Sequence, residues 1–226
     1  MRPSRNPLVL LASLVLAGPT LAAEEGPVIL LEVTSRVGPD EVPEAAPPRF
    51  ALFEDGQVYV GGSRELLAGR VEKGEIKDIE SQIDRIRKLP GLGSSVSFGP
   101  GPRRARLVVR KGRPLEIVAS GDPEAAPPNL RPVASLMQTL ESFSHPTLRP
   151  FRPAGYLARA REGRLGGGCR AWDDRMPPLP ELVSSPRVVM PDVVSGWPTG
   201  AIPASVCAGD KAYVVTFRPM IPGERP

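Results

Sequence analysis

The chain has 226 residues, of which 41% are hydrophobic and 24% charged, and its formal net charge is +4. A chain of this size can bury a sizeable core as one large domain or two small ones, and one globular body is the simpler expectation. A nucleic-acid-binding protein needs a strong, clustered positive field, so this small net charge argues against nucleic acid as a partner.

The N-terminus predicts a secretory signal over residues 1–22. Arg2 and Arg5 precede an apolar run, Leu8–Ala17, that is shorter than the roughly 20 residues needed to span a bilayer. Small residues favour signal cleavage near Ala22. The competing interpretation is an uncleaved anchor helix.

Export sets the expectations for the mature protein. No cysteine follows the apolar run, which argues against a lipid-anchored lipoprotein. Cleavage removes two arginines and no acidic residue, so the net charge falls from +4 to +2. We therefore expect a secreted or periplasmic protein with no transmembrane segment in the mature chain.

Residues 23–48 are predicted to hold an N-terminal strand and a proline-rich linker. The strand candidate is VILLEVTSR, which begins at Val28. The hexapeptide PEAAPP occurs at residues 43–48 and again at 123–128, and both copies are interpreted as polyproline-like linkers.

The stretch FALFEDGQVYV, residues 50–60, predicts a β-hairpin. A two-residue loop would put large apolar groups on both faces, whereas a three-residue loop over residues 54–56 sorts them, with Gly56 in the left-handed region of a G1 bulge. One face then carries Phe50, Leu52, Val58 and Val60, and the other carries Ala51, Phe53, Gln57 and Tyr59. Asp55 is interpreted as a turn former, with a ligand or catalytic role as the alternative.

The stretch RARLVVRKGRPLEIV, residues 104–118, predicts a second hairpin with Gly112 at the same turn position. An odd loop over residues 110–112 keeps the apolar side chains on one face. The expected cross-strand pairs are Leu107 with Leu115, Ala105 with Ile117, and Arg106 with Glu116. The arginines of this region are interpreted as the solvent face of the strand pair, or alternatively as a grip on an anionic glycan or partner: Arg103, Arg104, Arg106, Arg110 and Arg113.

An amphipathic helix is predicted after each hairpin. The first apolar stripe ends at Pro90-Gly91 and contains Ile76, Ile79, Ile83, Ile86 and Leu89. The second contains Leu130, Val133, Met137, Leu140 and Phe143. The two turn glycines and the two helix starts are each spaced by about 55 residues, which suggests a duplicated hairpin-plus-helix unit.

The expected fold class is α+β, an antiparallel sheet with two hairpin-plus-helix units and an irregular, disulfide-stapled C-terminal section. Residues 49–145 are predicted to form the paired hairpin-plus-helix core, and residues 146–226 a Pro/Gly-rich section packed on the same body. The segments of strand character in that section are GYLARARE, RVVM and KAYVVTFRP.

Cys169 and Cys207 are the two cysteines of the chain. An even number in an exported chain predicts a disulfide, which closes a segment of about 40 residues and stabilises the fold by roughly 4 kcal/mol in the chain-entropy model. The competing interpretation is a cysteine nucleophile, which needs a base nearby, and His145 is the sole histidine. We predict the disulfide, with α-carbons roughly 5 to 6 Å apart.

The richest cluster for an enzyme is RLGGGCRAWDD, residues 164–174. Its glycines could cradle a phosphate, but a phosphate loop lies between a strand and a helix and ends in Lys-Ser/Thr, which this segment lacks. Asp173 and Asp174 could bind Ca²⁺, yet a doublet does not supply the roughly six to eight oxygen ligands of that ion. We expect a solvated acidic turn and predict no metal or cofactor.

Other catalytic patterns are weak. The sequence has no histidine cluster for zinc and no Gly-x-Ser-x-Gly elbow, and a triad would need His145. Catalysis by a carboxylate pair stays open because the separation that matters is spatial. Trp172 and Trp197 are expected either to form an exposed platform or to fill a core. The candidate binding surface consists of Phe53, Tyr59, Trp172, Asp173 and Asp174.

These patterns favour an exported, non-catalytic protein that binds a protein or cell-envelope partner. The alternatives are a hydrolase that uses carboxylates such as Asp173 or Asp174, and a secreted protease inhibitor. Two facing carboxylates in a deep polar pocket would favour the hydrolase, and a protruding rigid loop near Cys169 would favour the inhibitor.

Two short motifs carry a resemblance. Phe50, Leu52, Asp55, Gly56 and Val58 match Phe-x-Leu-x-x-Asp-Gly-x-Val, and Arg218, Pro219 and Pro222 match Arg-Pro-x-x-Pro. In these motifs and in its order of elements the chain resembles a loose set of uncharacterised secreted proteins and lipoproteins of high-GC bacteria. The resemblance thinly covers most of residues 28–222. It implies the same succession of strand, hairpins, helices and terminal strand, and no activity.

Overall fold

The computed structural model describes residues 26–34, 46–61, 65–166 and 168–225. The predicted signal sequence, residues 1–22, lies outside the described residues. Within the described ranges, none of the helices is long and apolar enough to cross a membrane.

The described residues form two sheets, and the first of these has eight strands. In chain order they are β1 (Ile29–Val33), β2 (Phe50–Leu52), β3 (Gln57–Gly61), β4 (Leu66–Arg70), β5 (Ser95–Ser97), β6 (Arg104–Val109), β7 (Leu115–Ser120) and β8 (Arg149–Pro150). Across the sheet the order is β5-β7-β6-β1-β2-β3-β4-β8, and β5 runs parallel to β7 while the other neighbours are antiparallel. Both edge strands are short, with three residues in β5 and two in β8.

Two helices, α1 (Lys77–Ile86) and α2 (Arg131–Glu141), cover the inner face of the first sheet. The predicted stripes are confirmed, because Ile79, Ile83 and Ile86 of α1 and Val133, Met137 and Leu140 of α2 are buried. They pack on the inward side chains of the strands, which include Leu31, Phe50, Leu52, Val58 and Leu107. This single apolar layer is the main core of the protein.

The first hairpin is confirmed in register and loop length. Leu52 pairs with Val58, and the backbone N–H of Phe53 donates to the carbonyl of Gln57 over 2.9 Å, which leaves three residues in the loop. Gly56 has φ +86°. Asp55 accepts a hydrogen bond from the Gln57 N–H over 2.9 Å, so it is the turn former that the pattern predicts.

Gly56→Ala is expected to lower the free energy of unfolding by about 1 to 3 kcal/mol. Two effects combine, since φ is left-handed and an added Cβ would lie 2.5 Å from the carbonyl oxygen of Val71. Gly112→Ala should cost less, because its φ of +71° is also left-handed but the nearest atom, a guanidinium nitrogen of Arg87, is at an ordinary van der Waals distance of 3.5 Å. Urea denaturation measures both. The control is Gly74→Ala, where a Cβ meets nothing within 4 Å, and an equal loss there would contradict the steric argument.

The second hairpin has the predicted parity but a longer loop. Val109 pairs with Leu115 and Leu107 with Ile117, so residues 110–114 form the loop and the predicted pairs Leu107 with Leu115 and Ala105 with Ile117 are wrong. The shorter loop would place Pro114 within the second strand of the hairpin, paired with the first strand. Proline has no backbone N–H, so it could not donate a hydrogen bond to that first strand. Leu115 is accordingly half-buried.

Arg106 and Glu116 nevertheless meet on the outer face of the second hairpin. They are diagonal neighbours in the observed register, and the Arg106 Nε donates to the Glu116 Oε1 over 2.9 Å. The expected contact is therefore confirmed with a different cross-strand geometry.

The two hairpin-plus-helix units are not equivalent in detail. In the first unit a third strand, β4, which was not predicted, separates the hairpin from α1. In the second unit the PEAAPP copy forms a short 3₁₀ helix, Pro123–Ala125, so its interpretation as a polyproline-like linker is wrong there. Asp122 caps this turn by accepting from the Glu124 N–H over 2.9 Å, and Pro123 supplies a suitable φ at its first position.

The C-terminal section forms the second sheet. Its strands are β9 (Tyr156–Glu162), β10 (Arg170–Ala171), β11 (Arg187–Val189), β12 (Ala204–Ala208) and β13 (Lys211–Pro219). Their order is β10-β12-β13-β9-β11, with only β10 and β12 parallel. The edge strands β10 and β11 have two and three residues. The three predicted strand segments are confirmed as β9, β11 and β13, whereas β12 was not predicted.

The second sheet has its own core. Two short helices, α3 (Leu179–Ser184) and α4 (Pro191–Val194), pack on its inner face. The buried side chains there include Ala158, Ala160, Leu182, Val206, Val215 and Phe217. The described part of the chain therefore contains two helix-covered sheets.

The predicted disulfide is confirmed. Cys169 and Cys207 are bonded, with α-carbons 5.4 Å apart, and the bond ties the segment before β10 to β12. Because both cysteines are in this bond, neither is a thiolate nucleophile. The mixed α+β fold with mostly antiparallel sheets and a stapled C-terminal section agrees with the expected class.

Candidate functional site

A cleft of about 1280 Å³ lies between the outer faces of the two sheets. Each sheet carries helices on its inner face, and part of its outer face forms one wall. Strands β1, β6 and β7 line the first wall, and strands β9 and β13 line the second. We call this space the inter-sheet cleft.

Strand alternation builds the first wall. Along β6, Ala105 and Leu107 point into the main core, so Arg104 and Arg106 point outwards into the cleft. Val118 of β7 and Glu32 of β1 stand beside them.

The same alternation builds the second wall. Along β9, Ala158 and Ala160 point into the second core, and Arg159 and Arg161 point into the cleft. The small alanines suit close packing, and the long arginines suit an exposed face. Val214, Thr216 and Arg218 of β13 complete this wall.

The charges of the cleft are unequal. Among the residues that the structure describes, it is lined by five arginines, Arg104, Arg106, Arg159, Arg161 and Arg218, and by two glutamates, Glu32 and Glu162. Both glutamates are already paired, Glu32 with Arg106 at 3.1 Å and Glu162 with Lys211 at 2.9 Å. The cleft is therefore electropositive.

Two of the five arginines are neutralised. Arg106 contacts both Glu116 and Glu32, and the hydrogen bonds that it donates to these carboxylates raise the pKa of its guanidinium. Arg218 donates to Glu224. In the part of the chain that the structure describes, the guanidinium groups of Arg104, Arg159 and Arg161 have no carboxylate or hydrogen-bond partner.

Apolar side chains lie between these cations. Val118 is 39% exposed and Val183 41% exposed, and both line the cleft. Two exposed aliphatic side chains therefore line the same cleft as the three guanidinium groups that have no partner among the described residues.

The remaining arginines of the second hairpin have structural roles or lie in solvent. Arg103 pairs with Glu141 of α2 at 2.6 Å, and Arg110 donates to the carbonyl of Pro27 over 2.7 Å. Arg113 is exposed outside the cleft. Of this predicted group, only Arg104 offers a free guanidinium to the cleft.

The predicted surface residues Phe53 and Tyr59 lie on the outer face of the first sheet, away from the cleft. The Tyr59 ring is 1% exposed and packs edge-on against Phe53 at 5.5 Å and against Phe151 at 4.9 Å. Ile221 covers the same cluster. Tyr59 therefore belongs to a third apolar cluster and is not accessible to a partner, while Phe53 is half-buried.

Trp172 lies at the margin of the second core. This position agrees with the predicted alternative in which the tryptophans fill a core. Its ring is 5.5 Å from that of Trp197 and 6.4 Å from that of Phe217. The indole N–H donates to the carbonyl of Pro177 over 3.1 Å. Both tryptophans are half-buried, so they form a plug with one exposed edge rather than a flat platform.

Asp173 forms an acidic turn with Arg175. The Arg175 guanidinium donates to the Asp173 carboxylate over 2.7 Å, and the backbone N–H of Arg175 donates to the same carboxylate over 2.9 Å. These bonds lower the pKa of Asp173 to about 2. The stability from this pair is present above the ordinary carboxyl pKa of 3.8 and is lost as the pH falls towards 2. Asp174 is exposed, and neither aspartate lines the cleft.

His145 contacts a hydroxyl and a carboxylate, as a catalytic triad would require. Its Nδ1 is 2.7 Å from the Thr147 Oγ1, and its Nε2 is 3.0 Å from the Glu75 Oε1. The Thr147 hydroxyl, however, donates to the carbonyl of Arg70 and accepts from the N–H of the same residue. These bonds fasten the segment before β8 to β4, so the cluster is structural.

A second cavity of about 620 Å³ lies between the first hairpin turn and the start of α1. Two of its carboxylates are paired, Asp55 with Arg70 at 3.3 Å and Glu80 with Lys111 at 2.7 Å. These pairs leave it less suited to a charged ligand than the inter-sheet cleft.

The five candidate surface residues are thus not brought together, and the cleft contains none of them. The signal that could have located one wall is the alternation Leu-Ala-Arg-Ala-Arg at residues 157–161. In this segment a large side chain alternates with the small side chain of alanine. Among the described residues, no group of three or more His, Cys, Asp or Glu side chains could hold a metal ion.

Comparisons with protein-family models, with curated proteins and with solved structures find no match to this chain. The resemblance to secreted proteins and lipoproteins therefore stays a prediction.

Proposed function

We propose that this protein is an exported, non-catalytic binding protein and that the inter-sheet cleft is its binding site for an anionic protein or cell-envelope component. The observation that carries the proposal is the set of three guanidinium groups, on Arg104, Arg159 and Arg161, that have no partner among the described residues. An anionic partner would supply the charge-assisted hydrogen bonds that these groups lack.

Export is supported by the disulfide. Structural disulfides persist in oxidising compartments, which include the periplasm and the extracellular space. The apolar N-terminal run supports the same placement, because its length and its preceding arginines are typical of a cleaved signal.

A binding role explains the cleft better than hydrolysis. Carboxylate catalysis needs one group that keeps its proton or acts as a nucleophile. Both glutamates of the cleft are held in ion pairs, and Arg175 keeps Asp173 ionised outside the cleft. Neither observation supplies an acid and a base that face one substrate.

The protease-inhibitor alternative has weaker support. The segment that precedes Cys169 contains Gly163, Gly166 and Gly168, and a Cβ added at any of them would meet nothing within 4 Å. A standard inhibitor loop is pre-organised, and such open surroundings do not hold a loop rigid.

The binding site can be tested by capture from a cell-envelope extract. The immobilised protein is compared with Arg159→Gln/Arg161→Gln, which removes two unpaired cations from one wall, and with Arg113→Gln/Arg131→Gln. The control pair is also exposed and lies outside the cleft. We expect one or more anionic species to be retained by the wild type and the control and lost from the cleft variant.

Circular dichroism melting curves should coincide for the three proteins, since exposed arginines without partners contribute little to stability. Equal retention of the same species by all three proteins would place the binding site outside the cleft.

A further inference from the structure

We infer that the occupant of the inter-sheet cleft is an extended polypeptide segment in which acidic residues alternate with apolar ones. The inference rests on the proposed function of the cleft and names the chemical class of its partner. It follows from the spacing of the cations, from the groups between them and from the size of the space.

The spacing of the cations matches that of an extended chain. Arg159 and Arg161 are alternate residues of β9, so their side chains leave the same face roughly 6.5 to 7 Å apart along the strand. A partner chain in extended conformation repeats its own side chains at the same distance on each face. Acidic side chains at alternate positions would therefore meet both guanidinium groups without distortion of the backbone.

Strand β13 pairs with β9 over its whole length on one side, whereas β11 pairs on the other side only with Tyr156–Ala158. Among the described strands, residues 159–162 of β9 therefore have a partner on one side only. An extended segment on this wall can also be recognised through side chains, because the long arginines of β9 reach into the cleft.

Two aliphatic side chains of the cleft favour a peptide over a polysaccharide or phosphate polymer. Val118, on the wall opposite β9, is 39% exposed, and Val183, in the helix α3 that packs on the second sheet, is 41% exposed. Aliphatic side chains of a peptide can cover these groups and remove apolar surface from water. A sugar or phosphate chain offers no comparable alkyl surface.

An alternating segment presents two different faces at once. Because successive side chains point in opposite directions, acidic residues on one face can contact the β9 arginines while apolar residues on the other contact the first wall. Arg104 lies on that first wall, where it can bind a further carboxylate.

The volume agrees with a polymer segment. Small-molecule pockets are typically about 300 to 1000 Å³, whereas the inter-sheet cleft measures about 1280 Å³ and is open rather than enclosed. A segment of several residues would fill more of it than a single small anion.

The test uses a fluorescently labelled peptide that alternates glutamate with valine, and a control peptide of identical composition with the glutamates grouped at one end. Anisotropy titrations compare the wild type, Arg159→Gln/Arg161→Gln and Arg113→Gln/Arg131→Gln. We expect the wild type and the control variant to bind the alternating peptide roughly tenfold more tightly than the grouped peptide. The cleft variant should lose most of this preference, and raised salt should weaken binding.

Two further probes separate the classes of partner: polygalacturonate, as an anionic glycan, and vesicles that contain an anionic phospholipid. If polygalacturonate binds through Arg159 and Arg161 while the alternating peptide does not, the cleft is an anion site as proposed but the polypeptide inference is wrong. If the anionic vesicles bind through these arginines while the alternating peptide does not, the polypeptide inference is likewise wrong. Equal affinity of both peptides contradicts the spacing argument. If no anionic probe binds and capture from envelope extract is unaffected by the cleft variant, the proposed function itself is wrong.

Discussion

Replacing Cys169 and Cys207 together by serine is expected to lower the free energy of unfolding by about 2 to 5 kcal/mol. The two cysteines are 38 residues apart in sequence, and in the chain-entropy model the bond that closes a loop of that length lowers the entropy of the unfolded chain by an amount worth about 4 kcal/mol. The effect should be large in this section because β10, which the bond holds beside β12, has only two residues.

Urea denaturation of the wild type with and without a reducing agent measures the same quantity independently. The reducing agent should destabilise the wild type by about as much as the double substitution does, and it should leave the double variant unchanged. Equal stability of the oxidised and reduced wild type would show that packing alone holds the segment. Since Arg159 and Arg161 lie on β9, away from the bond, we expect the cleft to be retained in the double variant at low temperature.

Phe217→Ala is expected to destabilise the protein by about 3 to 5 kcal/mol. The ring is fully buried in the second core, and it contacts both tryptophan rings, at 6.4 Å for Trp172 and 5.5 Å for Trp197. Its removal therefore leaves a cavity beneath both indoles. Because these are the two tryptophans of the chain, intrinsic fluorescence reports on the lesion directly.

The matched control is Phe53→Ala, which removes the same side chain from a half-buried position in the third apolar cluster. It should cost less stability and leave the tryptophan emission maximum unchanged. Loss of less than about 1 kcal/mol in Phe217→Ala would indicate that the second core collapses around the missing ring.

The first hairpin and both helices could be predicted because their information is local. Side-chain parity around Gly56 allows only an odd loop that keeps Phe50 and Leu52 on one face, and the isoleucines of α1 recur at helical spacing. The second hairpin was predicted with the right parity and the wrong loop, because the missing N–H of Pro114 decides between two loops that sort the side chains equally well.

Strands β4 and β12 were missed for a related reason. Gly69 interrupts the first, and alanine and serine dilute the second, so neither shows the alternation that predicts a strand. Both are stabilised by pairing on each side, β4 with β3 and β8, and β12 with β13 and β10. Such tertiary stabilisation cannot be seen in a short window of sequence.

The cleft could be predicted only in part. The alternating arginines of β9 are visible in the sequence, but the wall opposite them comes from β1, β6 and β7, which precede β9 by dozens of residues. Which two outer faces meet depends on how the two helix-covered sheets pack against each other, and no local pattern encodes it. The candidate surface was chosen from aromatic and acidic residues, and it therefore lies outside the cleft. It includes the buried ring of Tyr59 and the ion-paired carboxylate of Asp173.

The brevity of the four outermost strands affects how this protein behaves in crowded surroundings. Unpaired N–H and C=O groups along a sheet margin are templates on which other chains can polymerise. Here each margin ends in a strand of two or three residues, so a foreign chain can form only a few backbone bonds before the template stops. Two open sheets can thus persist at high concentration with little tendency to grow into fibrils.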